Sequence, residues 1–218
     1  MIKAIILGTA HLATSPGKCS PDKSLRECYY SRELASRIKS DLEREGFMVV
    51  IDYAALQPNS QMRGSTWRQE QSRELQWRVD FVNSVCRSVG ASQCVYVSIH
   101  VNGMGSDGQW HDARGWSVWT SPGKTKGDAL ATEIWKVADA TFPKDHRHVV
   151  RADWSDGDPD FEAGLYVLRK TLCPAVLTEN FFQDNREDVA YLLSEAGMDA
   201  IVKVHVEGIK NYIEKYVL

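Results

Sequence analysis

Two histidines and two glutamates stand where a fold could gather them for chemistry: His11, Glu27, His100 and Glu179. Imidazole and carboxylate are what a catalytic zinc takes in sets of three, leaving one position for water. A further carboxylate, near the metal but not on it, is what such sites use to take a proton from water and hand it to a leaving nitrogen. Metal-assisted hydrolysis is the chemistry this set suits. Each residue also has a plainer role open to it. His11 and His100 read equally as hydrogen-bonded histidines at strand ends, and Glu27 completes an S-x-x-E capping box with Ser24. Glu179 is harder to account for structurally, because an acid ending an apolar strand is rarely buried without a partner.

The elements that must position these groups follow from the hydrophobic pattern. Residues 4–7 form a short apolar run that breaks at Gly8 and delivers His11 into a loop of small polar residues. The segment beginning "SLREC" predicts a helix with Leu34, Ala35, Ile38 and Leu42 on one face, closed by Gly46. "FMVVI" (47–51) is a second strand. A second helix carries Leu75, Val79, Val82, Cys86 and Val89 as a core-facing stripe and ends at Gly90. "CVYVSI" (94–99) runs into His100, and "GWSVWTS" (115–121) reads as a fourth strand. A helix near 127–142 turns Leu130, Ile134 and Ala138 inward, and 143–163 reads as a long functional loop. "LYVLR" (165–169) and "AVLTE" (175–179) are read as the last strands, the second ending at Glu179, and two helices close the chain.

Strands alternating with helices predict an α/β fold: a single domain over residues 1–218, with a mainly parallel twisted sheet of about six strands and helices on both faces. Strand-end residues then gather on one rim, where open α/β sheets bind ligands.

Composition narrows the function classes. A chain of 218 residues with net charge −3 has the length for a proper core and no basic footprint for nucleic acid. Five cysteines, Cys19, Cys28, Cys86, Cys94 and Cys173, are odd in number and never paired as C-x-x-C, which points to reduced thiols rather than a zinc knuckle or disulfide framework. No apolar stretch approaches 18 residues, and the first run is too short for a secretory signal, so neither membrane insertion nor export by a leader is expected.

Six segments, "GTAHLATSPGK", "LRECYYSRELA", "YVSIHVN", "GWSVWTS", "LYVLRKT" and "PAVLTENFFQDN", in this order and spanning nearly the whole chain, resemble the zinc-dependent N-acetylmuramoyl-L-alanine amidases of cell-wall hydrolases and phage lysins. The resemblance implies one Zn²⁺ per chain, held by His11, Glu27 and His100, with Glu179 catalytic. It implies peptidoglycan as partner and the amide between N-acetylmuramic acid and L-alanine as the bond cut. The setting it suggests is a phage or prophage lysin that stays cytoplasmic until released, or a cytoplasmic recycling enzyme. A peptidoglycan-binding module without catalysis and a zinc peptidase acting on the stem peptide are the alternatives. The chain departs from the family in having Leu12 where glycine usually follows the first histidine.

Further residues are candidates around that site. Asn102 is placed to orient His100 or bond substrate, Arg169 to clamp a stem-peptide carboxylate, and His111, beside Trp110, to touch substrate from a rim loop. Glu162, just before "LYVLR", is the next acid to consider as a base. His146 and His148 read as exposed loop residues and His205 as helix packing. Trp110, Trp116, Trp119 and Tyr166 read mostly as core, with one or two free to stack on sugar rings.

Overall fold

The structure is a computed structural model that describes residues 2–144 and 149–216. The chain runs β1 (Ala4–Thr9), α1 (Glu27–Arg44), β2 (Val49–Ile51), α2 (Trp67–Val89), β3 (Cys94–Asn102), β4 (Ser117–Thr120), α3 (Gly127–Thr141), β5 (Phe161–Glu162), α4 (Tyr166–Lys170), β6 (Ala175–Phe182), α5 (Arg186–Leu192) and α6 (Glu195–Tyr216), with a short 3₁₀ turn at Ala91–Gln93. The strands form one sheet in the order β2-β1-β3-β6-β4-β5. All neighbours are parallel except β4, which runs antiparallel to β6. The predicted α/β fold with a mainly parallel six-stranded sheet is the fold observed.

Both faces of the central strands are apolar because both are covered. Along β1, Ile5 and Leu7 join Leu34 and Ile38 of α1, Ile134 of α3 and Ile201 of α6 on one face, while Ala4 and Ile6 join Val79 and Val82 of α2 on the other. Alternation along a pleated strand sends successive residues to opposite sides, so a strand buried on both reads as one continuous apolar run. Each such fully buried aliphatic side chain contributes about 1.5–3 kcal/mol over leaving it in water. Helices α3 and α6 cross closely at Gly208, where a Cβ would stand 2.6 Å from the Ile134 Cα.

Three expectations are corrected. "LYVLR" is not a strand: Tyr166–Lys170 is a single helical turn that buries Val167 and Leu168 against the α2 side of the sheet. A five-residue apolar run cannot by itself be told from a buried helical turn, and both edges of β6 are already taken, by β3 and β4. The last strand of the sheet comes instead from the stretch read as loop, where Phe161–Glu162 pairs with Trp119–Thr120. Nor is there a capping box. Helix α1 begins at Glu27 behind Arg26, with no side-chain cap, and the Ser24 hydroxyl donates to Asp22. Residues His146 and His148 lie outside the described residues.

His205, read as packing, is fully buried on α6 and also bonded: its Nδ1 lies 2.8 Å from the Ile201 carbonyl and its Nε2 2.9 Å from Thr178 Oγ1. The carbonyl can only accept, so Nδ1 carries the proton and Nε2 takes the Thr178 hydroxyl hydrogen, a neutral ring with both nitrogens satisfied. Burial pushes its pKa down to about 4. With the unfolded value near 6.5, the unfolded chain binds the extra proton first, so this contribution to stability is present above pH ~6.5 and is lost as pH falls towards 4. In urea titrations, the stability advantage of wild type over His205→Asn shrinks by about 2 kcal/mol between pH 7 and pH 4.5. A pH-independent gap refutes the neutral buried imidazole.

Candidate metal centre and active site

His11 lies two residues beyond the end of β1 with φ 47°, in the left-handed region that costs a non-glycine residue on the order of 1 kcal/mol. Two bonds at the preceding residue hold that turn: Ser31 Oγ accepts the Ala10 N–H at 3.0 Å and Arg32 donates to the Ala10 carbonyl at 2.9 Å. The left-handed residue is thus His11 itself. Leu12 is buried in a small cluster with Tyr53 and Met62, which accounts for an apolar side chain where glycine is usual.

Glu27, the first residue of α1, reaches across to β3. It is 1% exposed; its Oε1 accepts the Val101 N–H at 3.1 Å and lies 3.0 Å from His100 Nδ1, and its Oε2 is 3.5 Å from His11 Nε2. One ligand atom from each of His11, Glu27 and His100 falls within 4.8 Å of the others, the single such group of metal-binding side chains among the described residues. The rings of His11 and His100 stand edge to face, 5.3 Å between centroids.

The electrostatics suit a cation at this point. Burial drives the His11 pKa down to about 3 against the pull of Glu27, so the ring is neutral and offers a lone pair. Burial opposes the Glu27 charge, but His11 and the His100 hydrogen bond outweigh it and bring its carboxyl down to about 2. Metal ligands must be deprotonated, and both are. Glu27 Oε2 is buried without a hydrogen-bond partner. Two imidazoles and a carboxylate with an oxygen lacking a hydrogen-bond partner, their ligand atoms within 4.8 Å of one another, fit a zinc ion.

Glu179 stands beside this group by register: in the parallel pairing of β3 with β6 it is the residue opposite His100, so the two side chains emerge side by side on one face. Its Oε2 is buried with no partner, and burial pushes the carboxyl up to about 7, with His100 and Glu27 pulling in opposite senses. A carboxyl poised near neutrality can both accept and return a proton. His11, Glu27, His100 and Glu179 line one cleft of about 440 Å³, and Asn102 lies at its wall.

The remaining candidates sort by place. His111 pairs with Asp107 at 3.0 Å and, with Trp110, lines a separate depression, where the Arg186 guanidinium covers the indole at 4.4 Å. Arg169 lines another, beside Ser121 and Cys173. Glu162 is exposed on β5, where it accepts the Gly123 N–H, and it does not line the cleft. Trp116 is core, its Nε1 donating to Asn180 Oδ1 at 2.9 Å. Tyr166 lines the cleft.

Two features of the cleft escaped the sequence reading. Lys18 and Gln183 line it from loops that carry no periodic signal. Beneath it, the buried Arg78 pairs with Asp52 at 2.6 Å and Glu74 at 2.9 Å, and Asp52 accepts the Thr9 N–H at 3.0 Å. The sign of that network was present: Glu74 and Arg78 are four residues apart, flanking Leu75 and Val79 in the buried stripe.

Comparison with known proteins bears on the family and the fold. The chain matches the endolysin of Bacillus phage SPP1 at 43% identity over 51 residues, 23% of this chain and 19% of that protein. It matches N-acetylmuramoyl-L-alanine amidase CwlM of Bacillus licheniformis at 45% over 47 residues, 22% and 19%. The matches thus span about a fifth of the curated relatives' length. The CwlD amidase of Clostridioides difficile, solved in complex with the GerS lipoprotein, superposes with TM-score 0.74 over 97% of this chain and 98% of its own, at 22% identity, a likeness of fold. The family pattern described as N-acetylmuramoyl-L-alanine amidase matches residues 5–211, which takes in every residue of the site. The chain therefore belongs to the N-acetylmuramoyl-L-alanine amidase family.

Proposed function

We propose that residues 1–218 form one catalytic domain, a zinc-dependent amidase that hydrolyses the amide between the lactyl carboxyl of N-acetylmuramic acid and L-alanine in peptidoglycan. The observation that carries this reading is the unpartnered carboxylate of Glu179 set beside the His11, Glu27 and His100 group in one cleft. Those three residues would hold one zinc, which when bound supplies Lewis acidity towards the amide carbonyl and a water. Glu179 takes the water's proton at its carboxylate and returns it to the departing alanine nitrogen, leaving a free lactyl carboxylate and a new amino terminus. Asn102 holds a substrate polar group at the wall. Its own Oδ1 accepts the Gly103 N–H at 2.8 Å, which leaves the amide N–H groups to donate. Among the described residues no helix is long and apolar enough to cross a membrane, and the likeness to a phage endolysin favours a lysin that acts on the wall once released.

Digestion of purified peptidoglycan followed by mass spectrometry of the ends tests the reaction. New L-alanine amino termini without new reducing ends are expected. Cuts within the stem peptide point instead to a peptidase, and binding without cleavage to a module that only holds the wall.

Metal analysis of the purified chain is expected to give about one zinc per monomer, lost in His11→Ala and His100→Ala. Glu27→Gln keeps the side chain's shape but not its charge, and loses most of its zinc under dialysis that leaves wild type loaded. A Glu27→Gln protein with full zinc and activity removes this residue from the metal.

Glu179→Gln separates chemistry from binding. Cleavage falls by ~10²–10⁴-fold, the usual contribution of general acid–base catalysis, while zinc is retained. Loss of zinc together with activity makes Glu179 a ligand, and near-normal cleavage places the base elsewhere.

A further inference from the structure

The face of the sheet that carries Glu179 continues beyond the cleft onto β4 and the strand segment outside it. Ser117 pairs with Glu179, and Trp119 with Leu177, whose side chain lines the cleft. Outside β4, Val150 bridges to Trp116, and both pack into the core on the opposite face. Alternation therefore turns Arg151, the next residue, to the same side as Ser117 and Glu179. Trp119 and Phe161 stay half-exposed there, stacked at 4.9 Å.

Arg151 is held, and among the described residues no carboxylate neutralises it. Its guanidinium carbon lies 5.3 Å from the ring centre of Phe161 and 5.5 Å from that of Phe182, positions that orient the planar cation over aromatic faces. Its backbone N–H donates to the Trp116 carbonyl, fixing the stem. The guanidinium makes no ion pair or hydrogen bond with any described residue. Arg37, Arg78 and Arg114, by contrast, each meet a carboxylate within 3.0 Å. A half-buried planar fork of N–H donors, preset by two rings and left open, matches a carboxylate.

We propose that Arg151 binds a carboxylate of the peptide being cut, on a shelf floored by Phe161 and Trp119, and so decides which stem peptides the cleft accepts. This rests on the amidase reading above. Two steps between neighbouring strands put the Glu179 and Arg151 backbones about 10 Å apart, a span that extended peptide covers in about three residues. With the reach of the arginine side chain, the carboxylate belongs to the second or third residue after the cleaved bond. A carboxamide at that position offers one acceptor and no charge, so amidation of the wall peptide weakens the fit.

The test uses Glu179→Gln enzyme loaded with zinc, which binds without turning over, and N-acetylmuramoyl peptides whose second or third residue bears either a free carboxylate or a carboxamide. Calorimetry is expected to show tighter binding of a carboxylate form by about ten- to a hundredfold, the worth of a hydrogen-bonded charge. Adding Arg151→Ala abolishes that preference and leaves carboxamide affinity within about twofold, while Arg151→Lys, which keeps the charge but not the fork, retains part of it. Arg151→Gln serves as the second neutral variant if the alanine form does not fold. Equal affinity for the two forms before Arg151 is changed, or an equal loss for both after it, overturns the proposal. Cleavage of the same peptides by the wild-type enzyme is read separately. A preference that persists without cleavage sinks the amidase reading and leaves the carboxylate site standing.

Discussion

The buried carboxylate of Glu27 ties the first helix to the central strand, with Oε1 on the Val101 N–H and His100 and Oε2 turned to His11. A charge removed from water costs several kcal/mol unless it is paired. Here the partners are the Val101 N–H and the two imidazoles, and together they outweigh the cost of burial. The apolar packing of α1 through Leu34, Ile38 and Leu42 is what presses Glu27 into this position. A zinc ion held there, as proposed, would complete the arrangement, and its binding would then be part of the folding free energy. The same constraint explains the absence of a capping box, since one side chain cannot serve both strand and helix end.

Around this point the polar groups under the sheet are paired in two directions. Towards α6, Asn180 donates to the His100 carbonyl at 2.9 Å and to Thr178 at 3.2 Å, and Thr178 in turn meets His205. Residues 178 and 180 flank Glu179 on β6 and face away from the cleft, so their bonds fix the strand while Glu179 alone is left unpartnered. Towards α2, Arg78 bridges Glu74 and Asp52, and Asp52 holds the end of β1 just before His11. In low dielectric such networks are rigid when satisfied and costly when broken. Both hold the backbone, which leaves the site's own donors and acceptors free for ligand.

The reversed strand β4 has a consequence that a wholly parallel sheet would not. Its pairing puts Ser117, small and buried, directly across from Glu179 and opens a route along the sheet to Trp119, Phe161 and Arg151. The parallel pair β4 and β5 at this edge is joined through α3, which packs with Trp116 and Val118 on the opposite face and so does not cover that route. The fold thus provides a cleft at the His11, Glu27 and His100 group and an aromatic shelf that leads away from it.

Much of this was legible in the residues alone. Continuous apolar runs for β1 and β3, stripes at 3.6-residue spacing for α1 and α2, and His100 and Glu179 where apolar runs give way are all local patterns, set by which side chains must leave water. The strands themselves run on past both, to Asn102 and Phe182. Those patterns were enough to call for a two-sided parallel sheet with its chemistry on one rim. What local pattern cannot carry is partnership. "LYVLR" is a helical turn because β6 already had neighbours on both edges, and Phe161–Glu162 is a strand because β4 had a free one. Glu27 leaves its helix end because Val101 and His100 reach it from 74 and 73 positions along the chain. His111 and Arg169 fall outside the cleft, whereas Arg151 comes to the face of Glu179 through the bridge of its neighbour Val150 to Trp116. Burial is written in single residues and their spacing; which group meets which across the sheet is decided only when the strands are in register.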